Sequence, residues 1–308
     1  MDSGAGKKTA KTIVCVTGAA GFVASWLVQC LLSRGHCIVH AIVHDPSNPK
    51  NAHLMTLDGA KERLRLFKSN MLDYSSVEAA VGRGVDCIFH LTSPAPLKNP
   101  INPDRRKAKV RRVVVVSSIA AAIDPKIPND AIVNEDCYPD EDYPRNIVTW
   151  HYHSKKIVSQ HEVSAYATMI GQDVVTVYLP WVLGPQLQPT MNTSSLRLIK
   201  YLKGEVTKEK MLNMVDVRDV VNALIVAWRT TGASKRYICS AHIMKVSEMV
   251  GIVRSLYPNL KLNYPNEFVE DERVASSKKL QMLGWSFRTV KETLKDTIES
   301  YKATGILD

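Results

Sequence analysis

The first run of apolar positions, Ile13-Val14-Cys15-Val16, is β-branched and stops at Thr17-Gly18-Ala19-Ala20-Gly21, the pattern of a buried strand ending in a tight loop. Beyond it Val23, Trp26, Leu27, Cys30 and Leu31 recur at i, i+3, i+4, i+7 and i+8. That spacing predicts one face of an amphipathic helix, with Gly35 where a C-terminal cap belongs. Cys37 to Val43 follows as a second strand, and further short apolar runs lie at Cys87 to Leu91, Val113 to Val116 and Val174 to Tyr178. Strands alternating with helices predict a doubly wound parallel sheet covered on both faces, here over residues 10–180. After Pro180 the pattern changes to helical candidates at Val217 to Trp228, Val246 to Leu256 and Val290 to Tyr301, with an extended piece at Arg236 to Cys239. Residues 181–308 are expected to form a smaller mixed substrate-binding lobe, with some exchange of chain between the two.

One connection breaks the pattern. A parallel sheet needs a crossover between the strands at Phe89 and Val113, usually a helix. This stretch carries Pro94, Pro96, Pro100 and Pro103 and then a basic run too short for a full helix, so the crossover helix is expected to be missing and one sheet face exposed.

Composition narrows the function classes. The 308 residues are 45% hydrophobic and 23% charged, which is globular composition and excludes a disordered chain. No apolar stretch is long enough to cross a membrane, and the polar segment Met1 to Thr12 has no signal-peptide core, so a cytoplasmic location and no membrane partner are expected. Cysteines 15, 30, 37, 87, 137 and 239 form no C-x-x-C pair and read as buried free thiols; no metal site is expected. The formal charge of +10 favours an anionic partner without choosing among nucleic acid, membrane surface and small polyanion.

Gly18-x-x-Gly21-x-x-Ala24, between a strand and an amphipathic helix, has the spacing of a Rossmann-type dinucleotide loop. Its small residues let the backbone approach a pyrophosphate, and the helix N-terminal amides point at the charge. At the end of the second strand His44, Asp45 and Lys50 are candidates to face the adenosine ribose; Lys50 favours a 2′-phosphate and Asp45 a free hydroxyl. Ser117 and Ser118 end the Val113 strand. Tyr152 and Lys156, four residues apart, lie on one helix face, where the ammonium lowers the phenol pKa and a serine hydroxyl holds a carbonyl.

Thr17-Gly18-Ala19-Ala20-Gly21-Phe22, Pro49-Lys50-Asn51-Ala52-His53-Leu54, Val113 to Ser118, Leu183-Gly184-Pro185, Val215-Asp216-Val217-Arg218-Asp219-Val220, Arg236-Tyr237-Ile238-Cys239 and Leu283-Gly284-Trp285 together resemble the plant cinnamoyl-CoA reductase and dihydroflavonol reductase group of extended short-chain dehydrogenases. The resemblance covers nearly the whole chain and leans to the cinnamoyl-CoA reductase branch around Trp150. It implies an NADPH-dependent reductase in which Tyr152 donates a proton to the carbonyl oxygen, Lys156 binds the nicotinamide ribose and tunes the tyrosine, and Ser118 orients the carbonyl. It further implies NADP(H) lined by Gly18, Ala19, Ala20, Gly21, Phe22, Val23, His44, Lys50, Asn70, Met71, Leu91, Thr92, Ser93, Lys156, Pro180, Trp181, Val182 and Leu183. Asn192 and Ser195 would join Ser118 and Tyr152 at the substrate, a CoA thioester or flavonoid-like carbonyl, in a monomer or weak homodimer.

The chain departs from that group at several places. His151 stands directly after Trp150, where the group has its tyrosine; a one-residue insertion restores Tyr152 and Lys156, while the rival register of His151 with Lys155 lacks the phenol. His44 replaces an arginine, Asn70 an aspartate, and Ala24 the third glycine. These departures leave open a silent dinucleotide-binding relative, and the shared serine, tyrosine and lysine leave open a dihydroflavonol or other ketone as substrate. The run from Arg105 to Arg112 offers a nucleic-acid patch, but no aromatic residues interleave it, and two basic loop ends joined across a lost helix would produce it; no nucleic-acid partner is expected.

Overall fold

The computed structural model describes residues 11–69, 74–82, 84–91, 110–122, 127–137, 161–205, 208–233, 235–260 and 273–307, with short pieces at 262, 264–265 and 267–268. Along the chain, β1 (Thr12–Thr17) leads through α1 (Phe22–Ser33) to β2 (Cys37–Val43). The short α2 (Ala52–Met55) and α3 (Ala60–Arg63) precede β3 (Leu64–Lys68), and α4 (Tyr74–Val81) leads to β4 (Val85–His90) and β5 (Arg112–Ser118). After the two-residue β6 (Ile132–Val133), residues 161–170 form helix α5, followed by β7 (Val174–Leu179) and β8 (Trp181–Leu183). The remainder holds α6 (Thr193–Leu202), β9 (Lys208–Glu209), β10 (Met211–Asp216), α7 (Val217–Arg229), β11 (Arg236–Ile238), β12 (His242–Lys245), α8 (Val246–Leu256), β13 (Glu267–Phe268), β14 (Val274–Ala275), α9 (Lys278–Gln281) and α10 (Val290–Ala303).

Seven strands pair in parallel in the order β11-β7-β5-β4-β1-β2-β3. The order reverses beside β1, so the carboxyl ends of β1 and β4 flank a crevice there. Val14, Val16, Cys87, Phe89 and Val114 project from one sheet face into a core that also takes α1 and α7. On the opposite face Cys15 and Ile42 pack with Ala80 and Val81 of α4. The doubly wound sheet predicted by the strand and helix alternation is therefore present, and the β1, β2, β7, α7, α8 and α10 spans fall within a few residues of the sequence reading.

Two strands depart from that reading. β3, Leu64-Arg65-Leu66-Phe67-Lys68, was missed because it is an edge strand bonded only to β2, and its cationic residues interrupt the apolar run. β11 pairs with β7 of the large sheet, and α7 packs on β5, β7 and α1, so the second half of the chain completes the core of the first. A separate core of Trp181, Leu198, Leu212, Met249, Leu294 and Tyr301 underlies the three-stranded sheet β12-β10-β8.

The path between β4 and β5 lies mostly outside the described residues, so the missing crossover helix is not addressed by them. The two strands nevertheless pair in parallel, Cys87 with Arg112 through His90 with Val115. On the face expected to be laid bare, Val115 is buried and Ile88 and Val113 are half-buried.

The described end of the basic run has a structural role. Arg111 grips Asp86 with Nε to Oδ1 at 3.0 Å and Nη2 to Oδ2 at 3.1 Å, while Trp228 Nε1 donates to the same Oδ2 at 2.9 Å. The Arg111 hydrogen bonds hold the Asp86 carboxyl below its ordinary value, against the opposing effect of burial, with Trp228 adding in the same direction. A folded pKa below the unfolded one stabilises the fold above the ordinary carboxylate value of 3.8 and loses that contribution as pH falls through the folded value. Asp86→Asn is therefore expected to lower stability at neutral pH by about 1 kcal/mol, the half-exposed Arg111 keeping the figure small. In urea unfolding at stepped pH the gap to wild type should close on acidification; a gap that persists below the folded pKa rejects this account.

The six cysteines are free. Burial pushes the Cys15 thiol up to about 12 and raises Cys87 and Cys239 as well, so these three are inert core groups. Trp228 and Trp285 are buried in the main core, while Tyr257 is half-buried beside the small-lobe core.

Candidate active site

The glycine loop is built at the carboxyl end of β1. Gly18 turns the chain with φ of 62°, a conformation that costs an L side chain, and Gly21 N donates back to Gly18 O at 2.9 Å. Ala19 N donates to Ile42 O at 3.1 Å, which ties the loop to β2. A Cβ added to Gly21 would lie 3.2 Å from Gly18 O, so this position favours a bare backbone. Gly21 is the N-cap of α1, and among the described residues no side chain caps that end. The first-turn amides therefore face outward with their partial positive charge, a natural seat for phosphate. Ala24, in place of the third glycine, is buried in the sheet–helix core and leaves that seat untouched.

Beyond β2, His44, Asp45 and Lys50 are exposed and share one cavity of about 280 Å³ with Ala20, Asn48, Asn51, Gln188 and Thr190. The loop is internally braced. Asp45 Oδ1 accepts from Ser47 N at 3.1 Å and Ser47 Oγ at 2.8 Å, bonds that keep its carboxyl below the usual range and therefore charged. Asn51 Nδ2 donates to Asp45 O at 2.6 Å, and Asn48 Oδ1 accepts from Lys50 N at 3.0 Å. The two asparagines thus shape the turn that presents Lys50.

Gln188 and Thr190 were not anticipated. They come from the segment after β8 and reach the cavity because Trp26 Nε1 of α1 donates to Pro185 O at 2.8 Å, pinning that segment against the glycine-loop helix. Gln188 is buried, donating from Nε2 to Thr190 O at 3.2 Å, and its buried Oε1 has no hydrogen-bond partner among the described residues. A small-residue turn, open helix amides, two basic side chains and an unsatisfied amide oxygen beside one cavity fit a dinucleotide held by its phosphates and adenosine. Among the described residues that line the cavity, Asp45 carries the negative charge that opposes a 2′-phosphate.

Ser118 ends β5 half-buried, and its Oγ accepts from Ala120 N at 3.2 Å. With a lone pair used by that amide, the hydroxyl proton remains free to donate to a carbonyl. Leu91 is half-buried, its N donating to Thr17 Oγ1 at 3.1 Å beside His90, which brings the end of β4 against the glycine loop. Tyr152 and Lys156, the rival His151 and Lys155, and Asn70, Met71, Thr92 and Ser93 lie outside the described residues.

Several sequence-predicted positions serve the core rather than the cleft. The side chains of Trp181 and Leu183 sit in the small-lobe core and that of Val182 in the main one, leaving Pro180 partly exposed at the bend between β7 and β8. Phe22 is largely buried beneath the loop. Asn192 is the N-cap of α6, its Oδ1 accepting from Ser195 N at 3.0 Å, and Ser195 is 1% exposed with its Oγ engaged by Asn192 Nδ2 and Gln186 Nε2. Ser195 thus braces the lobe from within, its oxygen accepting from both amides.

No helix among the described residues is long and apolar enough to cross a membrane. Comparison with known proteins gives the site its context. Residues 14–103 match the NAD dependent epimerase/dehydratase family, which supports a nicotinamide cofactor. The chain is 38% identical to cinnamoyl-CoA reductase 1 of Petunia hybrida, over 96% of this chain and 93% of that protein. It is 33% identical to tetraketide alpha-pyrone reductase 1 of Arabidopsis thaliana, over 97% and 98%. Among solved structures it superposes on vestitone reductase from alfalfa (Medicago sativa) with a TM-score of 0.84 at 27% identity, covering 96% of this chain and all of that one. The glycine loop between β1 and α1, the doubly wound sheet and these full-length likenesses agree: the chain belongs to the cinnamoyl-CoA reductase and dihydroflavonol reductase group of extended short-chain dehydrogenases and is an oxidoreductase.

Proposed function

We propose that the protein reduces a hydroxycinnamoyl-CoA thioester with NADPH, releasing the aldehyde and CoA. The observation that carries this reading is the full-length likeness to cinnamoyl-CoA reductases, joined to a cavity that sets Lys50 and His44 opposite the glycine loop. A formal charge of +10 suits the polyanionic CoA.

NADPH, once bound, supplies hydride to the thioester carbonyl carbon. In this reading the α1 amides and Gly18 to Val23 hold the pyrophosphate, and Lys50, with His44, holds the 2′-phosphate. Ser118, with its oxygen already accepting from Ala120 N, donates its proton to the carbonyl oxygen and fixes its orientation. Tyr152 delivers a proton to that oxygen as charge develops on it, and Lys156 keeps the phenol acidic enough to do so. Collapse of the resulting tetrahedral hemithioacetal returns its hydroxyl proton to the Tyr152 phenolate and breaks the carbon–sulfur bond, leaving aldehyde and a thiolate that takes up a proton from solvent. A ketone in the same place would stop at the alcohol, having no sulfur to expel.

Two measurements test the reading. The thermal midpoint of unfolding is expected to rise with NADPH, by the equivalent of about 2.7 kcal/mol at a hundredfold excess over Kd, and to rise less with NADH. NADPH oxidation is then expected with feruloyl-CoA and to exceed that with dihydroquercetin. The reverse preference assigns a ketone substrate, and stabilisation without turnover of either assigns a silent binding protein.

A further inference from the structure

Ser25 and His53, 28 positions apart in sequence, meet with Oγ 2.9 Å from Nε2. Ser25 is buried in the first turn of α1, directly beneath the glycine loop, and its Oγ also lies 3.2 Å from Ala19 O. His53 belongs to α2, and its Nδ1 lies 2.9 Å from Lys50 O. A carbonyl only accepts, so Nδ1 carries the proton and the neutral ring offers Nε2 as an acceptor; the single Ser25 hydroxyl proton is then shared between Nε2 at 2.9 Å and Ala19 O at 3.2 Å. Burial lowers the His53 pKa, with the bond to Lys50 O resisting, which favours that neutral ring. One imidazole thus joins the helix that carries the glycine loop to the peptide of Lys50, whose side chain lines the cavity.

We infer that His53 is a positioning residue for cofactor choice: anchored on Ser25, it holds the Lys50 peptide at a fixed separation from the glycine loop, so that Lys50 meets a 2′-phosphate when the pyrophosphate is seated on α1. Lys50 is exposed, and the side-chain bonds that Ser47, Asn48 and Asn51 make stay within its loop; among the described residues the His53 link is the side-chain hydrogen bond that ties the Lys50 peptide to α1. The inference rests on the NADPH reading above and assigns it a residue outside the cavity lining.

The test measures Kd for NADPH and for NADH by fluorescence titration in wild type, His53→Ala, Ser25→Ala, the double variant and His53→Asn, with the fold of each checked by thermal unfolding. His53→Ala is expected to weaken NADPH about tenfold, the scale of losing a pair of hydrogen bonds, and NADH much less. Ser25→Ala, which barely changes volume and stands in if the histidine variant does not fold, should show the same selective loss. The double variant should be no worse than His53→Ala, since both act through one link. His53→Asn, which keeps a donor for Lys50 O, should recover part of the preference. Equal weakening of both cofactors, or additive losses in the double variant, overturns the inference. If wild type discriminates and His53→Ala discriminates equally, this inference alone fails; if wild type does not discriminate, the NADPH reading fails with it.

Discussion

Tyr152→Phe is expected to lower turnover by about 10²–10⁴-fold while leaving the NADPH Kd within about twofold of wild type. The substitution keeps the ring and removes only the hydroxyl, so it takes away the proton donor and little else. Hydride transfer without protonation leaves an alkoxide that only Ser118 can then stabilise, and a serine hydroxyl is too weak an acid to replace a phenol tuned by an adjacent ammonium. Because the Tyr152 assignment assumes a one-residue insertion after Trp150, the experiment is a test of register as well. If His151→Phe abolishes turnover and Tyr152→Phe does not, the catalytic pair is His151 with Lys155, and the acid is an imidazolium. The two registers also differ in pH dependence. A phenol donor holds its activity through neutrality, whereas an imidazolium donor loses it as pH rises past about 6.5.

Arg112→Leu is expected to lower the free energy of unfolding by about 3 kcal/mol, read from urea unfolding at neutral pH. Arg112 opens β5, yet its nearly buried guanidinium reaches across to the end of α7. Its Nη1 donates to Ala227 O at 2.7 Å, Thr230 O at 2.8 Å and Trp228 O at 3.2 Å, and its Nε donates to Asp173 Oδ2 at 2.8 Å. The last carbonyls of a helix have no partner within it, and a cation at that end also suits the helix dipole. Leucine fills some of the volume but donates nothing, leaving those carbonyls unmatched near the core. The ion pair itself contributes far less, because Asp173 is 43% exposed while Arg112 is 5% exposed. Asp173→Asn is therefore expected to cost less than about 1 kcal/mol. Equal losses in the two variants would place the stabilisation in the ion pair and defeat this account. Since α7 packs on β5, β7 and α1, the same loss loosens the helix layer beneath the glycine loop.

The fold was legible in the sequence wherever its signals are local. β1, the loop at Gly18 and α1 each announce themselves within a dozen residues, because a buried strand, a turn with positive φ and an amphipathic helix have distinct spacings. β3 was not legible. An edge strand with Arg65 and Lys68 toward solvent has no continuous apolar run, and only its pairing with β2 identifies it. The small strands β8, β10 and β12 were overlooked for a related reason: each is three to six residues long, next to stronger helical signals, and exists only through its partners.

For the candidate site the same division holds. The glycine loop, His44, Lys50 and Ser118 were found from motif and position, and the structure brings the first three to one side of the sheet's carboxyl edge. Gln188, Thr190 and Ser25 carry no motif of their own, and His53 lies in the Pro49–Leu54 segment of the resemblance without any role being assigned to it. Ser195 was named through the resemblance alone; that it lies 1% exposed with its oxygen accepting from Asn192 and Gln186 is a matter of packing that no short spacing discloses.

The amino-acid sequence by itself determined the class of fold, the dinucleotide loop, the family and the catalytic candidates, because each depends on residue types at short, fixed spacings. Tertiary structure alone decided that the segment after β8 walls the cavity facing His44, that Arg112 caps a helix 115 positions away at Ala227, and that His53 reaches back to Ser25. The physical reason is the strand order. Placing β5 beside β7 and α7 beneath both brings together polar groups whose separation in sequence carries no period, and a buried polar group takes whichever partner the packing supplies.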